Sequence, residues 1–392
     1  MKKKILNAFL LMSFLLSFAP GFFFTTYPLF LAERGMSVFQ MSLINAAFML
    51  GVFILEVPTG AFADSFGRRN SIIAGCLAWS FSFYAYFFCS RLSGFILAEV
   101  IGALGCTLIS GALEAWAIDS LNWQKIKLPL EEIFRREERA KQAGIIGGSF
   151  LGAIIGAHNL ALPWLLSGTG MIIAGLAAAI LMTEPYFQKK SLLFSFKPLI
   201  STAKESWQAG RHSPAFLRVI LVSAALALSV QALNMQWSLL FHQGFKLPMW
   251  ALGLTYAGIS LFTVLGARLA PFLAKKSRHE GQGLAFAFAL IGLMMLLSGQ
   301  AGIFLPAIIF FLLHEFGRGL FNPLKKAIVN RRIEGRNRAT MLSLESMTTH
   351  AGAFIGLLGG GWLGNTFSIS TAWAGSGLIL LILAPILWKK GV

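Results

Sequence analysis

The chain has 392 residues, of which 56% are hydrophobic and only 12% charged. Too little polar surface remains for a soluble globule of this length, so the composition points to a polytopic membrane protein. A formal net charge of +17 would suggest nucleic acid in a soluble protein, but here the basic residues gather at alternate ends of apolar segments and nucleic acid is not expected as a partner.

Met1 to Pro20 starts basic and turns apolar, like a secretory signal. The apolar run continues to Leu31 without a convincing small-residue cleavage site, so it is read as a retained first span. Spans are predicted over 5–32, 38–63, 70–89, 93–120, 139–160 and 162–184, and then over 214–244, 248–274, 281–299, 302–329, 338–366 and 368–388. Ser37 suits an N-cap, and Pro20, Pro58 and Pro163 mark kinks or ends. Between the halves, Lys189, Lys190, Lys197, Lys204 and Arg211 alternate with Leu199, Ile200 and Trp207. That pattern suits either a helix lying on the inner membrane surface or a solvated linker. Twelve spans in this length leave no sizeable extramembrane domain, so function is expected inside the helices.

Apart from Arg34, Arg91 and Lys246, and from Arg268 and Arg318 within spans, the Lys and Arg residues fall on one side. By the positive-inside rule that side is the cytoplasm, which places both termini there and requires an even number of spans. The expected location is the cell inner membrane. Cys76, Cys89 and Cys106 lie in apolar segments without metal-type spacing and read as packing residues, so neither disulfides nor metal are expected. No nucleophile motif or phosphate loop occurs, so an enzyme is not expected, nor is a cofactor.

Gly60-Ala-Phe-Ala-Asp64-Ser-Phe-Gly67-Arg68-Arg69 joins the second and third spans. Gly67 suits a positive backbone φ at a helix end, Gly60 permits close helix approach, and the arginines sit where a bilayer tolerates positive charge. The stretch resembles the Gly-x-x-x-Asp-x-x-Gly-Arg-Arg loop of the major facilitator superfamily, with Ser65 where that family usually has a basic residue. A decayed copy follows at Gly266 to Lys276, with Ala270 in place of the acid. The resemblance implies an all-α membrane protein with twelve transmembrane helices in two six-helix bundles, 1–184 and 214–392, joined by a cytoplasmic linker over 185–213. It also implies that Asp64 meets the N-terminal end of the eleventh helix, and that Arg68 or Arg69 meets Asp119, when the cytoplasmic side is closed. Gly148, Gly152 and Gly156 of the fifth span, and Gly352, Gly356, Gly360 and Gly364 of the eleventh, form stripes; the resemblance makes them a seam between bundles, ordinary packing being the alternative.

A charge near the bilayer centre costs at least ~2.5 kcal/mol, so each requires a partner, a wet cavity or a task. Glu56 lies about 12 Å into the second span and Glu114 about 7 Å into the fourth. No basic residue of the first half stands out as deep enough to neutralise them, which makes them proton-coupling candidates; capping or snorkelling arginines are the alternative. Glu315 and Arg318 have i,i+3 spacing, and Arg268 and Glu345 lie at matching depth, so both pairs are expected as buried ion pairs. Tyr27, Gln231, Asn234, Gln236, His314 and His350 are candidates for a cavity lining, against the alternative of helix-to-helix hydrogen bonding. Glu99 is placed near water with no role.

The resulting expectation is a monomeric secondary transporter moving a small molecule by alternating access, with protons and membrane lipids as further partners. Proton-coupled efflux of an amphipathic or hydrophobic compound ranks first, proton-coupled uptake second, and a non-transporting membrane receptor third.

Overall fold

The structure, a computed structural model, describes residues 2–126, 128–188, 214–277, 279–332 and 338–390; of residues 2, 214–219, 280, 329–332, 338–344 and 389–390 it describes the backbone alone. The basic linker expected as a surface helix lies largely outside the described residues. Those residues form helices and no strand. In chain order these are α1 (Lys2–Phe24), α2 (Tyr27–Glu33), α3 (Val38–Phe66), α4 (Arg68–Phe88), α5 (Leu92–Ile109), α6 (Ala112–Trp123), α7 (Leu130–Gly156) and α8 (Leu162–Leu181). After the linker come α9 (Pro214–Leu239), continued by a π turn over Leu240–Gly244, then α10 (Met249–Lys276), α11 (Glu280–Gln300), α12 (Phe304–Arg332), α13 (Arg338–Thr366) and α14 (Ile369–Lys390).

Among the described residues, ten segments are long and apolar enough to cross a membrane, with α5 and α6 counted as one. The fifth and eleventh expected spans, α7 and α13, fall short because glycine and polar residues dilute their apolar character. Those glycines explain the packing. Gly144, Gly148 and Gly152 bring α7 against the backbone carbonyls of Phe14, Phe18 and Phe22 on α1, where a Cβ would collide. Gly352 and Gly356 bring α13 equally close to the carbonyls of Ala224 and Leu228 on α9, and Gly360 meets Ala232. Close backbone approach maximises dispersion contacts where lipid supplies no hydrophobic drive between helices. Gly148, Gly152, Gly352, Gly356 and Gly360 thus pack within their own half of the chain, as the packing alternative has it, whereas a Cβ on Gly156 would stand 3.6 Å from Met249 of the second half and one on Gly364 3.1 Å from Val38 of the first.

The chain divides into two compact units. Unit 1 holds Met1–Gly35, Ala47–Phe196 and Pro248–Tyr256, and unit 2 holds Met36–Ala46, Lys197–Leu247 and Ala257–Val392. Within unit 2 the start of α3 lies against Gly361 at Ser42, and within unit 1 the start of α10 lies against Phe150 at Gly253. The start of α3 carries a reciprocal cap: Gln40 N–H donates to Ser37 Oγ at 3.3 Å, and Ser37 N–H to Gln40 Oε1 at 2.9 Å.

Three local features differ from the expected spans and position the site. The first span breaks at Thr25 and Thr26, so Tyr27 begins α2. The fourth breaks at Gly111, whose φ of +69° suits glycine, so Glu114 falls in the first turn of α6. The fifth begins nine residues early, at Leu130, which extends α7 through Glu137 and Arg139 as continuous helix.

Candidate functional site

The loop motif is built around a residue that the sequence reading did not single out. Gly67 has φ +96°, a backbone state that other residues rarely adopt. Beyond it the amides of Arg68 and Arg69, at the open start of α4, donate to Glu184 Oε1 and Oε2 at 3.0 and 3.1 Å. A carboxylate there satisfies two orphan N–H groups and complements the helix dipole. Burial raises the Glu184 carboxyl above its ordinary pKa, and the two amides and arginines oppose that. Arg68 pairs with Asp64 at 2.6 Å, Arg69 donates to the Ala179 carbonyl at 2.6 Å, and Asp119 is exposed beside them. The expected partnership of an arginine with Asp119 is therefore replaced by Asp64 and the Ala179 carbonyl, because Asp64 at the end of α3 and Arg68 at the start of α4 meet across the turn at Gly67. Gly60 has nothing within 4 Å of where a Cβ would stand, so the close approach expected there is not made, whereas its counterpart Gly266 lies against the Phe316 carbonyl.

A Cβ on Gly67 would stand 2.7 Å from Glu184 Oε2. Gly67→Ala is expected to cost about 1–3 kcal/mol, because φ +96° with ψ 150° is a backbone region essentially confined to glycine, with further loss as the carboxylate is pushed from the amides. The thermal unfolding midpoint of the purified protein checks this, and an unchanged midpoint counts against the cap.

Glu114 has the cation that the sequence reading did not find. Lys141 Nζ lies 2.9 Å from Glu114 Oε1 and 2.5 Å from Glu137 Oε1. The early start of α7 puts Glu137 and Lys141 on one face at i,i+4, opposite the first turn of α6. Two carboxylates thus share one ammonium. Burial, and next the bond and charge of Glu114, push the Glu137 carboxyl up to about 7, against the pull of Lys141. Glu56 is exposed on α3 and takes no part in this group.

Glu99 is buried, at 8% exposure, and not at the water-accessible edge. Tyr27 and Tyr86 each donate to its Oε1 at 2.6 Å, their hydroxyls 3.2 Å apart. The Trp164 ring stacks on Tyr86 at 3.9 Å and on Phe23 at 4.4 Å, closing the group off. Tyr27 therefore belongs to the interior of unit 1.

In unit 2, Arg318 donates to Glu315 Oε1 at 2.8 Å and to Asn234 Oδ1 at 3.0 Å, and Asn234 donates to Gln231 at 3.3 Å. His314 Nδ1 lies 3.5 Å from Glu315. His314 is fully buried and Gln236 is also enclosed, donating to the Gly360 carbonyl at 3.0 Å. Of the cavity candidates, only Gln231, Asn234 and His350 keep partial exposure. The expected pair of Arg268 with Glu345 is not formed: Lys325 on α12 holds Glu345 at 2.7 Å, while Arg268 is exposed on α10. Equal depth did not imply a shared face.

A model of the Major Facilitator Superfamily matches residues 9–122. The quinolone resistance protein NorA of Staphylococcus aureus is 22% identical over 354 residues, 88% of this chain and 86% of its own. The MFS-type transporter YxaM of Bacillus subtilis is 35% identical over 112 residues, 28% of each chain. Among solved structures, nucleoside transporter NupG superposes with TM-score 0.80 at 13% identity, covering 98% of this chain and 99% of its own. A bacterial homologue of the iron transporter ferroportin in its inward-facing state gives 0.77 at 17%, over 98% of both. The fold is that of these multi-pass helical transporters. The chain thus resembles the major facilitator superfamily over residues 9–122 and a drug-resistance protein over most of its length.

Proposed function

We propose that this protein is a proton-coupled exporter of a small amphipathic or hydrophobic compound, working as a monomer in the cell inner membrane with both termini cytoplasmic. Its two halves, 1–184 and 214–392, act by alternating access, joined by the linker 185–213. The likeness to a quinolone resistance protein over most of both chains supports export, and the basic bias of one set of helix ends supports the orientation. Proton coupling rests on one observation, the sharing of Lys141 between Glu114 and Glu137. One ammonium cannot neutralise two neighbouring carboxylates, so the group carries an exchangeable proton close to neutral pH. Gln231, Asn234 and Arg318 offer polar contacts to a substrate.

The test is transport in proteoliposomes under an imposed pH gradient. Wild type accumulates substrate against its gradient, while Glu114→Gln and Glu137→Gln equilibrate it without accumulation. Full accumulation in both variants removes this group from coupling. A stability readout gives the sign independently. A carboxyl whose folded pKa is raised from 4.5 to about 7 favours the folded state below 4.5, and that contribution disappears as pH rises to 7. The unfolding midpoint of wild type should therefore fall between pH 4.5 and 7 by more than that of Glu137→Gln, and parallel pH profiles would contradict the assignment.

Proton-coupled uptake is the second reading. It is favoured by Gly156-Ala157 at the end of α7, where antiporters of the superfamily commonly have a Gly-Pro step. Reversing the pH gradient in the same vesicles separates the two.

A further inference from the structure

Unit 2 has an apolar cavity of about 680 Å³ where the basic ends of α10 and α12 meet the start of α11. Ala270 and Ala274 of α10, Gly283 of α11 and Leu324 and Ile328 of α12 form its walls. This is the place in the repeat that the charged motif occupies in unit 1. Ala270 follows Gly266 by four residues, as Asp64 follows Gly60. The unit 1 counterpart measures about 320 Å³ and is lined by Asp64, Arg68, Asp119 and Glu184, with Arg68 paired to Asp64. In unit 2 the lining residues among those described carry no carboxylate, and small side chains leave roughly twice the space.

Two prolines keep that space open. Pro271 and Pro323 lie inside α10 and α12 and both border the cavity. Each lacks an amide hydrogen, and its ring pushes aside the carbonyl one turn back, so the helix backbones cannot close tightly there. The volume lies within the roughly 300–1,000 Å³ of small-molecule sites. The helix ends flanking the cavity are basic. His279 lines it, and Lys275 and Lys276, which stand between the lining residues Ala274 and Ser277 in the chain, are exposed, as is Lys326 on α12. Hydrocarbon fits inside and a negative group fits at the mouth, on the side where the positive-inside rule puts the cytoplasmic leaflet.

We propose that this cavity binds one anionic phospholipid of that leaflet, an acyl chain lying between α10, α11 and α12 and the phosphate held by Lys275 and Lys276. In unit 1 the same position is narrower and lined by charges; in unit 2 loss of the acid exchanged that lining for a lipid site. The site is independent of proton coupling and of transport direction.

Native mass spectrometry of the delipidated full chain tests this with phosphatidylglycerol and phosphatidylcholine of identical acyl chains. Wild type should retain one phosphatidylglycerol in preference to phosphatidylcholine. Lys275→Gln and Lys276→Gln should each weaken phosphatidylglycerol about fivefold, as expected for one basic residue near an anionic headgroup, and leave phosphatidylcholine unchanged. Ala274→Phe fills the space and should weaken retention at least tenfold; Ala270→Leu does the same should Ala274→Phe fail to fold, and an unfolding midpoint like that of wild type identifies the variant to be used. Equal retention of the two lipids by wild type, or full retention by the folded, filled variant, overturns the proposal.

Discussion

Arg318→Met is expected to destabilise the protein by about 3–5 kcal/mol, the cost of breaking a buried ion pair and leaving one charge behind. The stranded group is Glu315, whose side chain is only 4% exposed, whereas that of Arg318 is 28% exposed. The asymmetry predicts an order among variants. Losing the arginine leaves a carboxylate that water scarcely reaches, with the His314 ring 3.5 Å away. Losing the acid, as Glu315→Gln, leaves a guanidinium that still bonds Asn234 and is part-exposed, so this single change should cost less. Arg318→Met combined with Glu315→Leu removes both charges and should be milder than Arg318→Met alone. Thermal unfolding of the purified variants in one detergent measures all three. A double variant no more stable than the worse single variant would show that the two residues do not act as a pair.

How legible this was in the sequence depended on whether a feature was local or spatial. Glu315 and Arg318 are three residues apart on one helix, so their pairing needed only helical periodicity. Ser37 and Gln40 were equally local. Positive φ at Gly67 followed from a glycine between two apolar runs. Glu345 was harder, because depth along a helix can be read from sequence but rotation about its axis cannot: Arg268 and Lys325 both lie near the right level, and only packing selects Lys325. Lys141 was missed for a related reason. The early start of α7 made Glu137 and Lys141 neighbours at i,i+4, a spacing visible in the sequence had the helix been extended to Leu130. Glu184 lies in a short polar turn after α8, and nothing in its surroundings announces that it caps a helix starting more than a hundred residues earlier.

Glu99 is the other position where a large loss is expected. Its Oε1 accepts from two tyrosine hydroxyls at 2.6 Å, distances typical of strong hydrogen bonds. Intramembrane hydrogen bonds between helices average only about 0.6 kcal/mol, so bond strength alone would make Glu99→Leu a modest change. The decisive effect is what remains. Tyr27 and Tyr86 are 8% and 1% exposed, and an unsatisfied buried polar group costs about 1–3 kcal/mol. The hydroxyls are 3.2 Å apart, a longer contact than the 2.6 Å bonds to the acid, and both lose the acceptor they shared. Glu99→Leu should therefore cost about 2–4 kcal/mol, including misfit of the new side chain against the stacked rings. Tyr86→Phe in the intact protein should cost less, about 1 kcal/mol, because Tyr27 still donates to the acid. The triple change Glu99→Leu, Tyr27→Phe and Tyr86→Phe removes the two hydroxyls that lost this acceptor and should recover part of the Glu99→Leu loss. Unfolding midpoints of these variants decide the matter: if the triple variant is less stable than Glu99→Leu by the sum of the two tyrosine changes, the hydroxyls were not held for the carboxylate and the group is ordinary packing.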